Sequence, residues 1–293
     1  MAKKLDVNKL MGRLKELNES SGGQNNGMSF LSIKDGRNVV RILPPSDNME
    51  SFGEEVWVHY SVGKSSSNKN GTMVVCPKTK DENAKCPVCE ASKELWNLSK
   101  KKDDDYQKQA KQLNRKKRVY YNAIDRAVDL SLFELREEDD KKVWYNTETN
   151  EKESPIKILG TGVGVYKDLI KLIVDPEYGD VTDPKEGLDI IITKSGSGQF
   201  NTEYDVKTVR KESAIGMDDW EEHLNDLEPL TKAKTYDEIL TIMEGGEPTE
   251  SSEDESKGDD QDGSADTGTE GGSGGDEDLE DEIQAAIQRR RNK

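Results

Sequence analysis

Short alternating runs of apolar and polar residues dominate the chain from Met28 onward. The segments MSFLSI (28–33), RNVVRIL (37–43) and EEVWVHYSV (54–62) alternate with a period of two, which predicts strands. An Asp35-Gly36 turn and a Pro44-Pro45 break separate them. TMVV (72–75) reads as a fourth short strand, and PVCEASKELWNLS (87–99) as a short helix. Residues 103–118 are polar and read as helical or irregular. RVYYNAI (118–124) and VDLSLFEL (128–135) read as strands, with KVWYN (142–146) pairing with them. A strand at 156–159 precedes a helix from about Gly164 to Val174, with Tyr166, Leu169, Ile170 and Ile173 on one face. GLDIIITKSG (187–196) and EYDVKTVRK (203–211) read as strands joined by the loop SGSGQFNT. Helical patterns return in MDDWEEHLNDL and TYDEILTIM. Trp57, Trp96, Trp144 and Tyr166 read as core residues. The pattern is mainly β with inserted helices, an α+β class, and its many short strands suit an OB-type barrel.

The two ends differ from this body. Residues 3–18 place Leu10, Leu14 and Leu17 at helical spacing with a basic opposite face, and the linker SSGGQNNG follows. Residues 1–27 therefore read as a helical arm, docked on its own body or on a neighbouring subunit. Residues 28–244 form the core. From 245 to 293 the chain is acidic: residues 245–282 hold 16 Asp and Glu, one Lys and no aromatic residue. Such a segment buries too little apolar surface to offset its ordering entropy, so disorder is expected. Its last stretch, DLEDEIQAAIQRRRNK, has the spacing of a short helix that forms on a partner.

The net charge of −17 is unevenly spread. Residues 1–119 carry 23 Lys and Arg against 15 Asp and Glu, while residues 245–293 carry 5 against 16. A basic front half on an acidic protein predicts a polyanion site. No stretch reaches about 18 consecutive apolar residues, so no membrane span is expected. No N-terminal apolar run marks a signal peptide, and a soluble cytoplasmic protein is expected.

The three cysteines, Cys76, Cys86 and Cys89, lie within fourteen residues. An odd, tight cluster argues for metal rather than a disulfide framework. With His59 they give H-x16-C-x9-C-x2-C. Three thiolates and one imidazole make a closed tetrahedral set, the pattern of one structural Zn2+. Asp81, Glu90 and His223 are the other candidates for the fourth position. A Cys-x-x-Cys redox pair and an iron–sulfur centre are the competing readings of the cysteines.

Arg115, Lys116, Lys117 and Arg118 are four consecutive cations, followed at once by Tyr120 and Tyr121. Cations track phosphates and exposed rings stack on bases, the chemistry of single-strand binding without sequence readout. Tyr106 sits in the same stretch. Arg41, inside a strand, wants an anionic partner. Phe200, in a polar loop, and Tyr204 beside it are candidates for stacking. A solvated charged face is the plainer reading of the cation run.

These segments resemble the T-even phage type of single-stranded DNA-binding (helix-destabilising) protein. The likeness rests on NVVRILPPSD, HYSVG, VVC with CPVC, KKRVYYNAI, GVYKDLIKLI and GQFNTEYDVK, over roughly residues 28–215. It implies an OB fold with an inserted zinc subdomain, here about residues 55–100. It implies zinc ligands at His59, Cys76, Cys86 and Cys89 and a strand-binding stretch at Lys116, Lys117 and Arg118. It places Tyr106, Tyr121, Phe200 and Tyr204 near the aromatic positions of the binding cleft, and Arg41 near a cleft arginine. It implies a basic arm for cooperative binding to neighbouring copies along the strand. It implies an acidic tail that contacts replication and recombination proteins of the polymerase, helicase-loader and recombinase-mediator kind. The chain departs from the family in a longer His-to-Cys spacing, in Lys3, Lys4, Lys9 and Arg13 spread along the arm, and in a tail ending in Arg289, Arg290, Arg291 and Lys293.

The expected function is thus non-catalytic coating of single-stranded DNA in replication, recombination and repair. The rivals are a zinc-containing nuclease and a protein adaptor built on a zinc module. No second His and carboxylate cluster suited to two-metal chemistry is evident in the sequence.

Overall fold

The computed structural model describes residues 28–245, apart from 47, 48, 50, 65–67, 69, 100–103, 139–140 and 197–200. The expected arm, Phe200 and the acidic tail with its expected terminal helix lie outside the described residues. The fold is mixed α+β and mostly strands. Eight strands form the main sheet in the order β1-β9-β5-β2-β10-β11, with β3 and β4 branching from β5. They are β1 (Phe30–Leu31), β2 (Gly36–Ile42), β3 (Glu54–Val62), β4 (Thr72–Val75), β5 (Lys116–Asp125), β9 (Ile156–Gly162), β10 (Leu188–Ser195) and β11 (Glu203–Glu212). A separate three-stranded sheet holds β6 (Phe133–Glu138), β7 (Lys141–Asn146) and β8 (Glu151–Lys152). The pairing does not close the main sheet among the described residues, so the expected barrel is not what the ladders show.

Strand β5 is the hub. Its residues 118–124 pair with β9 along one edge. The other edge is divided: Lys116–Tyr120 pair with β3, and Ala123–Asp125 pair with β2. A strand paired on both edges can be covered on both faces, and then it does not alternate. Accordingly every residue from Val119 to Ile124 is buried. On one face, Val119, Tyr121 and Ala123 join Val40, Ile42, Leu159, Ile190 and Ile192. On the other, Tyr120 packs with Val56, Val58, Ile158, Leu227 and Leu230. Full burial of each large side chain contributes about 1.5–3 kcal/mol.

Four helices are seen among the described residues: α1 (Pro87–Ser99), α2 (Asp104–Leu113), α3 (Val163–Val174) and α4 (Tyr236–Met243). Helix α1 begins at Pro87, where the missing N–H costs nothing. Helix α4 opens on a capping box between Thr235 and Glu238. Helix α3 lays Val165, Tyr166 and Leu169 on the first core; Ile170, expected on that face, is exposed instead. The expected strand VDLSLFEL opens with a 3-10 turn at Leu130–Leu132, and β7 pairs with β6 but not with β5. The expected helix MDDWEEHLNDL is irregular, with 3-10 turns at Trp220–His223 and Glu228–Thr231.

Candidate metal centre and nucleic-acid interface

Strand β3 brings His59 into the body, the loop after β4 brings Cys76, and the start of α1 brings Cys86 and Cys89. Their ligand atoms all lie within 4.8 Å of one another. The His59 Nε2 is 3.5 Å from the Sγ atoms of both Cys86 and Cys89, and the Cys76 and Cys89 Sγ atoms are 3.7 Å apart. A tetrahedral zinc ion, with Zn–S of about 2.3 Å and Zn–N of about 2.0 Å, requires N–S edges of about 3.5 Å and S–S edges of about 3.8 Å. The donor set therefore fits zinc in both chemistry and size. His59 Nδ1 donates to the Leu113 carbonyl at 2.7 Å, which leaves the Nε2 lone pair aimed at the sulfurs. The other candidates for the fourth position are engaged elsewhere. Asp81 accepts from the Asn83 N–H, Glu90 accepts from the Tyr236 hydroxyl, and His223 packs edge-on to Trp144.

Without an ion the four groups must share protons. Burial disfavours a charged His59, but hydrogen bonds with Cys76 and Cys86 outweigh it and raise its pKa to about 9. Hydrogen bonds from Cys86 and Cys89 lower the Cys76 thiol, whereas those with Cys76 and Cys86 push Cys89 up. At pH 7 the metal-free site therefore retains a proton on His59 and at least one shared among its coupled thiols. A zinc ion requires all four ligands deprotonated, so its uptake must expel them. Titrating zinc into metal-free protein in weak buffer at pH 7 is expected to release at least two protons per ion, read with a pH indicator. Release of fewer than two would contradict the shared-proton account.

The cation run starts where the metal module ends. Arg115 and Lys117 both lie over the Trp57 ring, at 4.4 and 5.1 Å from its centroid. Trp57 and Lys117 are register partners across β3 and β5, so they share a sheet face. On the opposite face Lys116 lies 5.7 Å from the Tyr60 ring, and Arg118 lies 6.0 Å from the Tyr120 ring and donates to the Gly160 carbonyl. A Cβ at Gly160 would come within 2.9 Å of the Arg118 guanidinium and 2.8 Å of Tyr120, so this slot needs a residue without a side chain. Two carboxylates sit among the cations. Glu82 accepts twice from Arg115 at 3.2 Å, and Glu55 pairs with Lys117.

Trp57 is held by the metal module through its backbone. Its carbonyl accepts from the Cys76 N–H at 2.7 Å, and its own N–H donates to Thr79 Oγ1 at 3.0 Å. Ring and metal ligands are therefore parts of one unit. Trp57 had read as a core residue. It is half-buried and packs against the cluster of Val62, Val74, Cys76 and Cys86, on the face opposite its buried neighbours Val56 and Val58.

Three expected contact residues are not on the surface. Tyr120 and Tyr121 had read as an exposed ring pair, and both are buried because β5 is covered on both faces. Tyr121 stacks on Phe52 at 5.7 Å and shares a hydrogen bond with Thr161, and burial raises its phenol pKa. Arg41 is 0% exposed. Its anionic partner is Asp189 at 3.4 Å, and it also bonds to Ser213 and to the Val181 carbonyl. The guanidinium thus ties β2 to loops of its own fold. Tyr106 is half-buried on α2, about two turns before Leu113. Tyr204 is exposed on β11, opposite Lys194. Lys194 and Tyr204 share the sheet face of Ile190 and Ile192, the face on which Val119 also lies.

A family model described as gp32 DNA binding protein like matches residues 34–154. That segment contains the whole metal quartet, β3 and the cation run. A search of curated proteins finds no match.

Proposed function

From the gp32-like DNA-binding segment at residues 34–154, we propose that the chain is a non-catalytic protein that coats single-stranded DNA. The carrying observation is the placement of Arg115 and Lys117 over Trp57, on a strand clamped to the metal quartet. Phosphates would take Arg115, Lys116, Lys117 and Arg118, and bases would stack on exposed rings, with Tyr204 and Phe200 extending the track. Zinc is the ion of the quartet. Its four protein ligands leave no position for water, so its role is to hold the module together. An OB-type arrangement of the main sheet belongs to the same reading.

The ends complete the proposal. The basic arm would engage neighbouring copies along the strand. The acidic tail would recruit replication, recombination and repair proteins, in the cytoplasm of a host cell if the protein is of phage origin. Titration of oligo(dT) and of a duplex, followed by intrinsic fluorescence, tests the central statement. Single strands should bind in preference to duplex, and each phosphate neutralised should steepen the log K against log salt slope by about 0.7. Three or four contacts therefore give a slope of roughly −2 to −3. Equal binding to duplex, or a response that is flat in salt, would refute it.

A further inference from the structure

The cations over Trp57 are already neutralised from within. Glu82 holds Arg115 through two hydrogen bonds at 3.2 Å, and that guanidinium lies 4.4 Å from the indole centroid, where a base would stack. Glu55 holds Lys117, which lies 5.1 Å from the same ring. Both carboxylates are exposed, Glu82 at 65%, so neither is fixed by packing. A carboxylate presents two oxygens to a guanidinium much as a phosphate does. We propose that Glu82 and Glu55 act as built-in competitors of the nucleic acid, closing a latch over Trp57 that an unpaired strand must open. A phosphate takes Arg115 from Glu82, the guanidinium leaves the indole, and a base takes its place.

The latch gives the protein selectivity. An isolated anion can displace a carboxylate but cannot fill the vacated ring, so only a ligand offering phosphate and base together gains both contacts. The inference rests on the single-strand reading above.

The test compares full-length wild type with Glu82→Gln, Glu55→Gln and the double variant, for oligo(dT) affinity at fixed salt. A Glu148→Gln variant, on the turn of the second sheet, carries the same charge change away from the ladder. Competition predicts tighter binding, about two- to fivefold for Glu82→Gln and more for the double variant, with Glu148→Gln unchanged. Placing Trp57→Phe in each background identifies the fluorescence change that belongs to Trp57. That change on DNA binding should be present in wild type and smaller in Glu82→Gln, whose latch is already open. If Glu82→Gln binds more weakly, the carboxylate positions Arg115 and does not compete. If it matches Glu148→Gln, neither role holds. Either result overturns the latch while leaving the single-strand reading intact. If wild type ignores oligo(dT), that reading itself fails.

Discussion

Stripping the metal, or changing Cys86 to Ser, is expected to unfold the module between β3 and β5 and to weaken DNA binding severely. A structural zinc ion contributes on the order of 10 kcal/mol of apparent binding free energy, comparable with the whole stability of a typical domain. The module has little to replace it. Its core consists of Val62, Val74, Val88, Ile239 and Ile242 around the cysteines themselves. Removing the ion leaves buried thiols and a buried imidazole sharing charge, which disfavours the packed state. Trp57 is bound to the Cys76–Thr79 turn, and the cation run follows directly after the helix that supplies the Leu113 carbonyl to His59. Loss of the module therefore displaces the ring and the cations together. Chelation should expose residues 76–113 to protease and speed amide exchange in α1, while β2, β9 and β10 stay protected. An unchanged protease pattern and unchanged affinity after verified metal removal would disprove the structural role.

The second large effect is expected from Trp57→Ala combined with Lys117→Ala. One stacked base contributes about 1–3 kcal/mol, and one phosphate contact contributes about 0.7 to the salt slope. Because Lys117 lies over the same ring, the two losses should not simply add. The double variant should lose roughly one to two orders of magnitude in oligo(dT) affinity at low salt, with a slope shallower by about 0.7. The same double-mutant cycle measured against Tyr121→Phe is informative. Tyr121 is buried, so that variant should shift stability through its lost bond to Thr161 and leave affinity nearly unchanged. If Trp57→Ala binds as wild type does, the ring is not part of the track.

The metal quartet and most elements were legible in the sequence because their signals are local. Two residues between Cys86 and Cys89 let both sulfurs turn toward His59 and Cys76, and the helix at 87–99 appears where the pattern places it. What could not be read depends on distant pairing. Tyr120 and Tyr121 follow a cation run and look exposed, until β9 is found along one edge of β5 with cores on both faces. Arg41 seeks an anion, but Asp189 lies 148 residues later, brought near only by the pairing of β10 with β2. Residues 217–227 show helical spacing, yet their apolar side chains serve two separate clusters: Met217, Trp220 and Leu224 join one, Leu227 the other. Trp57 packs on the cysteine cluster as a tryptophan in an apolar strand should, but that its ring also underlies Arg115 and Lys117 shows only once β3 is paired with β5.

The divided edge of β5 carries one more consequence. Strands β2 and β3 line up end to end along that edge, so neither shares a ladder with the other. Breaking the β3–β5 rungs therefore takes nothing from the ladders of β2 with β5 and β10, so damage to one stretch of that edge costs the other no backbone bond.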